Sequence, residues 1–224
     1  MTKIAILIPC YNEELTIGNV IEDFRSELPD ADIYVFDNNS TDETVNIANS
    51  HNAIVIPSPI QGKGAVVQHM FSTIDADQYV IVDGDGTYPA IYVKDMLSKL
   101  SECDMVLGDR LSNNYYKDNK RLFHGFGNFI VKFLVNLLYH GKITDIMTGY
   151  RAFNKDFVKN INIASVGFEV ETEMAIYALK HNYKVASIPI LYLSRPDGSK
   201  SKVKTFSDGI KILKLIFKEK FNHD

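Results

Sequence analysis

Two aspartates one residue apart, Asp83 and Asp85, stand directly after an apolar run at 79–82. Two carboxylates this close repel each other, and a divalent cation that bridges them to a diphosphate relieves the repulsion. The calcium-binding loop of an EF-hand is excluded, because it needs Gly at its sixth position and Glu at its twelfth, where this chain has Tyr88 and Lys94. The pattern therefore predicts a Mg²⁺ or Mn²⁺ site at the two aspartates.

A further carboxylate and a lysine lie near the ends of other apolar runs. Asp37 follows the run 32–36, where its carboxylate could accept hydrogen bonds from a ribose or a base. Lys63 stands between two glycines that open a predicted helix, and such a helix N-terminus can bind a phosphate. A Walker A loop is excluded, because it needs Gly at position 57 and Ser or Thr at position 64, which are Pro57 and Gly64. The dinucleotide fingerprint Gly-x-Gly-x-x-Gly is also absent after the first apolar run.

The elements that must position these residues alternate between short strands and helices in the first half of the chain. Runs rich in Val and Ile predict strands at 3–8, 32–36, 53–56, 78–82 and 105–108. Helical patterns between them predict helices at 14–28, 42–52, 64–74 and 90–100. This alternation predicts an α/β fold with parallel strands and right-handed crossovers. Ligands of such sheets bind beyond the carboxyl ends of the strands, which is where the acidic residues stand.

The second half of the chain has a different pattern. A charged, aromatic loop at 115–121 precedes a long apolar helix predicted at 122–139, and the segment 144–154 follows. A helix near 169–182, a strand near 185–193 and a lysine-rich tail come next. Because no repeat, low-complexity segment or linker separates the halves, we interpret residues 1–224 as a single domain.

Composition and charge exclude several classes of protein. The 224 residues are 46% hydrophobic and 23% charged, as in ordinary soluble globular proteins. A net charge of −4 gives no general attraction to nucleic acid. Cys10 and Cys103 have neither metal-site spacing nor the pattern of a disulfide framework, which predicts a reducing cytosol. The apolar run 4–8 is too short for a signal peptide, and no run of about 18 apolar residues predicts a membrane-spanning helix.

Two amphipathic segments could contact a membrane surface. In the segment 129–139, Lys132 and Asn136 stand on one helical face of an otherwise apolar stretch. The tail has apolar residues at helical spacing and seven lysines, namely Ile210, Leu213, Phe217 and Phe221 with Lys200, Lys202, Lys204, Lys211, Lys214, Lys218 and Lys220. A basic amphipathic helix binds anionic lipid at about 1 kcal/mol per basic residue near the surface. Packing of the same apolar faces on the rest of the domain is an equally compatible alternative.

Eight short motifs occur in a fixed order along nearly the whole chain. They are PCYNEE at 9–14, FDNNSTDET at 36–44, QGKGAVV at 61–67, DGDGTYP at 83–89, GDR at 108–110, TDIMTGYR at 144–151, GFEVETEM at 167–174 and RPDGSKSK at 195–202. In kind, order and spacing they resemble glycosyltransferase family 2, and within it the dolichyl- or polyprenyl-phosphate sugar synthases. The resemblance implies a GT-A fold, which is a Rossmann-like nucleotide-diphospho-sugar transferase with a mostly parallel central sheet flanked by helices. It also implies a nucleotide-sugar-binding half at 1–110 and an acceptor-binding half at 111–224.

The resemblance assigns roles to individual residues of the first half. It implies that the nucleotide-sugar site contains Pro9, Tyr11, Glu13, Asp37, Lys63, Asp83 and Gly84, and that the metal ligands are Asp83 and Asp85. Asn38 replaces the second Asp of the family's usual pair, which implies a difference in base recognition. Thr87 stands where the dolichyl-phosphate mannose enzymes have a Gln, which favours a UDP-sugar over GDP-mannose as donor.

The second half implies how the acceptor is bound. Arg110, Arg151, Arg195 and Lys202 match basic positions of the family, with one residue more than usual between Arg195 and the final lysine. Together they would bring positive charge to two phosphate-bearing substrates, and we expect the three arginines to act in catalysis with Asp85. A lipid phosphate is already anionic near pH 7, since its second pKa is about 6, so it needs no strong general base. The expected reaction is transfer of a sugar to a polyprenyl phosphate with inversion of the anomeric carbon.

Two alternatives stay open at this point. Transfer to a glycan hydroxyl, as in capsule or cell-wall synthesis, would need a general base, for which Asp145, Glu171 and Glu173 are the candidates. A catalytically inactive nucleotide-binding module is the other alternative. For the leading interpretation we expect a cytoplasmic protein, bound peripherally at the inner face of the membrane, with a membrane-protein partner or a second copy of the chain as possible partners.

Overall fold

A seven-stranded mixed sheet organises the chain in the computed structural model, which describes residues 2–112, 122–199, 202 and 205–221. The strands are β1 (Ile4–Cys10), β2 (Asp32–Asp37), β3 (Ile54–Pro57), β4 (Gln78–Ile81), β5 (Met105–Asp109), β6 (Arg151–Asn154) and β7 (Val185–Pro189). Their order across the sheet is β3-β2-β1-β4-β6-β5-β7. Only β6 is antiparallel to its neighbours in this described sheet, so the predicted α/β class with a mostly parallel sheet is confirmed.

Eight α-helices are described around the sheet. They are α1 (Ile17–Glu27), α2 (Thr44–Ser50), α3 (Lys63–Thr73), α4 (Val93–Lys99), α5 (Leu122–Leu138), α6 (Lys155–Asn160), α7 (Val170–Lys180) and α8 (Thr205–Phe221), with a 3₁₀ turn at Ala90–Tyr92 before α4. The helices predicted in the first half are present, and α1 begins three residues later than predicted because residues 13–16 form a turn. The predicted loop 115–121 and the lysines at 200 and 204 lie outside the described residues.

The sheet separates two apolar cores. Alternate residues of β1 point to opposite faces, so Ala5 and Leu7 join one core while Ile6 and Ile8 join the other. The first core contains residues of α3, α5, α7 and α8, and the second contains residues of α1 and α4. Burial on both faces explains why the central strands are continuous apolar runs rather than alternating ones. In the described part of the chain, no helix combines the length and apolar character that a bilayer crossing requires.

Strand β6 and helix α6 were not predicted from the sequence. β6 is a four-residue strand that hydrogen-bonds to β4 on one side and to β5 on the other, with Ala152 and Phe153 buried in the two cores. The strand begins with an arginine and ends with an asparagine, so only its two middle residues are apolar. A run of two apolar residues is too short to predict a strand. Asn154 also begins α6, because its side-chain oxygen accepts a hydrogen bond from the backbone N–H of Phe157 at 2.9 Å.

Candidate active site

The candidate site lies at the carboxyl edge of the sheet, where β1, β2 and β4 end side by side. Cys10 at the end of β1 stands opposite Asp37 at the end of β2, and β4 is followed by the acidic turn, residues 83–85. β6 runs in the opposite direction, so its first residue, Arg151, pairs with Ile81 at the end of β4. The loop before β6 is therefore brought to the same edge as the acidic turn.

Asp83 is held between a lysine and a glycine. Its Oδ1 accepts a hydrogen bond from Lys63 Nζ at 2.5 Å, and the same ammonium lies 2.6 Å from Glu171 Oε1. Burial alone would lower the pKa of Lys63, but the charges of Asp83 and Glu171 raise it above its usual value. On the other side, a Cβ at Gly149 would lie 2.1 Å from Asp83 Oδ2. The carboxylate is thus fixed by charge on one oxygen and by close packing on the other.

Asp85 is buried and both of its oxygens are used. Oδ1 accepts hydrogen bonds from the backbone N–H and the hydroxyl of Thr87, at 3.2 and 2.7 Å. Oδ2 accepts two more from Arg195, one from Nε at 2.8 Å and one from a terminal nitrogen. Burial would lower the pKa of Arg195, and the negative charge of Asp85 raises it overall. Thr87, noted in the sequence as a departure from the family pattern, therefore orients Asp85 here.

Glu13 is paired with a lysine from the far end of the chain. Lys202 Nζ contacts Glu13 Oε1 and donates a second hydrogen bond to the carbonyl of Asn12 at 3.1 Å. The backbone N–H of Glu13 donates to Thr44 Oγ1 at 2.8 Å, which fixes the turn after β1. Burial raises the pKa of Glu13, while the hydrogen bond and charge of Lys202 oppose that rise. The structure therefore brings two predicted site residues, 189 positions apart, into contact.

Arg110 forms a buried, two-pronged ion pair with Asp145. Arg110 Nε lies 2.7 Å from Oδ2 and a terminal nitrogen 2.9 Å from Oδ1. Its other terminal nitrogen donates to the hydroxyl of Tyr88 at 3.3 Å, and the guanidinium stacks 5.2 Å from the ring centre of Tyr192. The Tyr88 hydroxyl also accepts a hydrogen bond from the backbone N–H of Gly149 at 2.9 Å. This network ties the end of β5 to the loop before β6.

The placement of Arg151 differs from the sequence-based expectation of a phosphate ligand. Its side chain is enclosed, with the residue only 1% exposed. The guanidinium donates to the carbonyl of Thr148 at 3.0 Å and to that of Ile146. Burial lowers the pKa of Arg151 to about 10. In this conformation the arginine braces the loop before β6 instead of reaching a substrate, because β6 is an interior strand.

The two glycines beside Lys63 pack against a loop of the protein, whereas the sequence predicts a phosphate there. A Cβ on Gly62 would lie 2.3 Å from the carbonyl oxygen of Val166, and one on Gly64 would lie 2.2 Å from that of Ser165. The backbone N–H of Gly64 donates to the carbonyl of Gly167 at 3.1 Å. Carbonyls of the loop before α7 thus occupy the N-terminus of α3, where a phosphate was expected. The lysine side chain, rather than the helix N-terminus, is what α3 contributes to the site.

Asn38 has a structural function that sequence reasoning missed. Its side-chain nitrogen donates to the carbonyls of Ser58 and Ile60, both at 2.8 Å. Its side-chain oxygen accepts from the backbone N–H of Gly62 at 2.8 Å. An amide can make all three bonds, whereas the Asp that the family usually has offers no donor when ionised. The Asn at this position therefore holds the loop between β3 and α3.

Each of the three candidate general bases is bound by another group. Glu173 accepts hydrogen bonds from the backbone N–H groups of Ala164 and Ser165, at 2.7 and 2.9 Å. Glu171 pairs with the lysine of α3, and Asp145 pairs with the arginine after β5. None of these partners could be read from the sequence, because they come from other elements of the fold.

The remaining predicted residues line the start of the site. Pro9 and Asp37 are half-buried, while Tyr11 is exposed. Asp37 Oδ1 accepts a hydrogen bond from the backbone N–H of Ser40 at 3.2 Å. A Cβ on Gly84 would lie 2.7 Å from the sulfur of the cysteine that ends β1, so the acidic turn packs directly on that strand.

The two carboxylates of the acidic turn suit a hard divalent cation, although they are few for a complete set of ligands. Mg²⁺ and Mn²⁺ prefer carboxylate oxygens, and a cationic side chain already lies against each of the two aspartates. Within the described ranges, no cluster of three or more His, Cys, Asp or Glu side chains could hold a metal ion. A cation held by Asp83 and Asp85 would therefore need further ligands, which a bound diphosphate could supply.

Comparisons with known proteins agree on the family. The family model "Glycosyl transferase family 2" matches residues 5–161. Glycosyltransferase AglJ of Haloferax volcanii is 36% identical over 223 residues, which cover 98% of this chain and 73% of the relative. The dolichyl-phosphate hexose transferase of the same organism is 28% identical over 216 residues, covering 96% of this chain and 92% of the relative.

The fold is also that of solved glycosyltransferases. The crystal structure of glucosyl-3-phosphoglycerate synthase from Mycobacterium tuberculosis with Mn²⁺, uridine diphosphate and glucosyl-3-phosphoglycerate matches the whole chain with a TM-score of 0.81. The match covers 81% of that structure's chain at 19% sequence identity. At this identity the likeness shows the fold alone, which is the GT-A fold implied by the sequence motifs.

Proposed function

We propose a specific reaction for this chain, which belongs to glycosyl transferase family 2. It transfers a sugar from a nucleotide-diphospho-sugar, with a UDP-sugar favoured over GDP-mannose, to a polyprenyl phosphate such as undecaprenyl or dolichyl phosphate. The observation that carries the proposal is that the acidic turn and two basic residues of the last motif, Arg195 and Lys202, lie at one edge of the sheet. Carboxylates for a cation and cations for a phosphate are what a transfer between two phosphate-bearing substrates requires.

The donor half of the site is assigned to the carboxyl ends of β1, β2 and β4. Pro9, Tyr11, Glu13 and Asp37 lie around the ends of β1 and β2, where a nucleoside would contact them. Gly84 lets the acidic turn pack on β1, and Lys63 fixes the orientation of Asp83. Asp83 and Asp85 would hold Mg²⁺ or Mn²⁺. When bound there, the cation neutralises negative charge on the departing nucleoside diphosphate.

The transfer step needs little acid–base chemistry. An oxygen of the lipid phosphate attacks the anomeric carbon from the side opposite the diphosphate. A new carbon–oxygen bond forms as the bond to the diphosphate breaks, and the configuration inverts. The nucleoside diphosphate leaves with the electron pair, and no proton is transferred because the attacking phosphate is already ionised. Arg195 and Lys202 would hold the acceptor phosphate. Arg110 and Arg151 would position the site indirectly, because they bind residues of the loop before β6.

The occupied carboxylates favour a phosphate acceptor over a hydroxyl acceptor. A hydroxyl needs a general base, and the three candidates Asp145, Glu171 and Glu173 each bind a cation or two backbone N–H groups. These contacts direct the three carboxylates to partners within the protein rather than to an acceptor hydroxyl. A phosphate nucleophile has no such requirement, so the arrangement supports the lipid-phosphate reaction.

An exposed apolar surface supports a lipid substrate as well. On α5, Phe129, Phe133 and Leu137 are 57, 55 and 57% exposed and recur every four residues along one face. On α8 the exposed apolar residues are Phe206, Ile210, Phe217 and Phe221. The helices are joined where the hydroxyl of Tyr139 donates to the carbonyl of Ile216 at 2.7 Å. We assign this surface to the membrane, with lysines of α8 directed to anionic headgroups. A membrane protein or a second copy of the chain is the alternative partner.

The test is a transfer assay with defined substrates. The protein is incubated with Mn²⁺ or Mg²⁺, radiolabelled UDP-sugars or GDP-mannose, and undecaprenyl phosphate in vesicles containing anionic lipid. A lipid-linked sugar that forms only with a divalent cation is expected, and flotation should show the protein on the same vesicles. Asp85→Asn should abolish the product, while Asp95→Asn, an exposed change on α4, should leave it unchanged.

Other outcomes of this assay would point to the alternatives. A folded protein that gives no lipid-linked product with any donor, but extends a glycan, would favour the hydroxyl-acceptor reaction. Nucleotide binding without turnover on either acceptor would favour an inactive binding module. Either result would reject the polyprenyl-phosphate reaction.

A further inference from the structure

We propose that Arg195 and a divalent cation compete for Asp85, so that the acceptor phosphate binds only after the cation and nucleotide, an inference that rests on the proposed function. In the structure the guanidinium occupies the oxygen of Asp85 that a cation needs. If Asp85 holds the cation, its carboxylate must give up Arg195. The released arginine then becomes available to the second substrate.

The hydrogen bonds of Asp85 leave no oxygen for an additional ligand. Oδ1 is held by the backbone and hydroxyl of Thr87, and Oδ2 is held by two nitrogens of Arg195. A carboxylate oxygen offers about two lone pairs, so each oxygen already has its two donors. Because Asp85 is buried, a cation cannot approach it from bulk water without displacing one of these groups. Thr87 stands only two residues after Asp85 in the same loop, so the arginine is the group that can leave.

Arg195 is attached to the site in a way that allows this exchange. It lies 110 residues from Asp85, on a segment without helix or strand. The segment is anchored independently, because the backbone N–H of Leu193 donates to the carbonyl of Thr87 at 2.9 Å. The side chain of Arg195 is 28% exposed, whereas that of Asp85 is 5% exposed. The guanidinium can therefore turn toward solvent while its backbone stays beside the acidic turn.

Lys63 provides the contrast that singles out Arg195. The lysine bridges two carboxylates, Asp83 and Glu171, at 2.5 and 2.6 Å. If a cation took Asp83, Lys63 would keep Glu171 and stay in place. In the described part of the chain the ion-pair partner of Arg195 is Asp85. The loss of that partner leaves an arginine without a counter-ion next to the donor, which is a binding site for an anion.

A second basic residue of the same segment is held in a similar way. Lys202 contacts Glu13, which stands in the turn after β1. The two proposed ligands of the acceptor phosphate, Arg195 and Lys202, are thus both paired with carboxylates of the donor half of the site. If Asp85 holds a divalent cation, Arg195 loses its counter-ion, and positive charge at this edge of the sheet becomes available to a phosphate. The acceptor phosphate therefore binds after the cation and the nucleotide, because the carboxylates and the phosphate compete for the same basic side chains.

The first test measures cation affinity without turnover. Mn²⁺ binding is followed by electron paramagnetic resonance and calorimetry, with and without UDP, in the wild type and in Arg195→Gln. Competition predicts about fivefold tighter Mn²⁺ binding in R195Q, since a partly exposed ion pair of up to about 1 kcal/mol no longer has to be broken. Arg25→Gln, which removes hydrogen bonds to the carbonyls of His51 and Asn52 away from the site, is the matched control. An Mn²⁺ affinity that is unchanged or weaker in R195Q would overturn the proposal.

The second test measures the order of binding with inorganic phosphate and farnesyl phosphate as probes. The wild type should bind both at least tenfold more tightly with Mn²⁺ and UDP than without them, and R195Q should lose this difference. An advantage for farnesyl phosphate over inorganic phosphate would identify the lipid as the source of the phosphate. Equal binding of the probes with and without Mn²⁺ and UDP would reject the ordered scheme.

Two further variants separate the possible failures. If R195Q does not fold, as judged by thermal unfolding, Arg195→Lys retains the charge with a single ammonium and should give an intermediate Mn²⁺ affinity. If Asp85→Asn leaves Mn²⁺ binding unchanged, the metal site of the proposed function is wrong. If D85N abolishes Mn²⁺ binding but R195Q does not alter it, only the competition is wrong.

Discussion

Replacement of Gly149 by alanine should displace Asp83 and damage the donor site without altering any proposed ligand. A Cβ at this position would lie 2.1 Å from Asp83 Oδ2, whereas ordinary contacts begin at 3.4 Å. The carboxylate would have to move by about 1.3 Å, the difference between these two distances. Gly149 does not have a positive φ, so the alanine itself fits the backbone. The strain therefore falls on the contact with Asp83.

The size of the effect follows from the contacts of Asp83. Its other oxygen is 2.5 Å from Lys63 Nζ, so a shift of this size stretches or breaks the ion pair. Overpacking of a tight site costs about 1–3 kcal/mol of stability. A misplacement of about 1 Å in a catalytic arrangement costs about 100-fold in rate. We expect G149A to fold with reduced stability, to bind Mn²⁺ and UDP more weakly, and to transfer sugar about 100-fold more slowly.

The assay compares G149A with a glycine change that meets no neighbour. Gly209→Ala lies in α8, where a Cβ has no heavy atom within 4 Å, and it should stabilise the helix by up to about 1 kcal/mol. Urea unfolding, Mn²⁺-dependent UDP binding and sugar transfer are measured for both variants. Unchanged UDP binding and transfer in G149A would refute the reasoning, since it would mean that the position of Asp83 has no bearing on the site.

Three further changes test the contacts around the site. Asn38→Asp restores the residue that the family usually has, yet it should lower the free energy of unfolding by about 1–3 kcal/mol in urea, because a carboxylate then faces two carbonyls. Lys202→Met should raise the pKa of Glu13 further in a ¹³C NMR titration. Since a carboxyl with a raised pKa contributes stability at low pH that is lost as the pH rises, K202M should lose more stability at pH 8 than at pH 4. Asp145→Ala should lower the free energy of unfolding by about 3–5 kcal/mol, because Arg110 stays buried without its carboxylate, and a loss below 1 kcal/mol would contradict the ion-pair assignment.

The parts of the fold that sequence reasoning predicted are those with a local signal. The apolar runs before Asp37 and Asp83 are strands, and both aspartates stand at the carboxyl edge of the sheet as expected. A parallel α/β sheet follows from the alternation of strands and helices, and this alternation alone locates the edge of the sheet at which ligands bind. This pattern alone predicts that Asp37, Asp83 and Asp85 lie at the carboxyl edge of the sheet.

The parts that could not be predicted depend on partners far away in the sequence. The ion pair of Arg195 with Asp85 joins residues 110 positions apart, and no periodicity carries that information. The sequence also does not distinguish an arginine that faces a substrate from one that binds carbonyls, which is why Arg151 was expected at a phosphate and lies under the loop instead. The role of Asn38 depends in the same way on the path of the loop that it holds.

The insertion of β6 has a consequence for how a ribosome can produce this protein. β4 and β5 are about 25 residues apart in the sequence, yet in the finished sheet they are separated by β6, which is translated last of the three. Until residue 154 has left the exit tunnel, with more than two thirds of the 224 residues made, the edges of β4 and β5 present unpaired N–H and C=O groups. Such edges pair readily with other nascent chains. We therefore expect fragments that stop before 151 to aggregate, and synthesis of the whole chain to depend on chaperones more than its final stability would suggest.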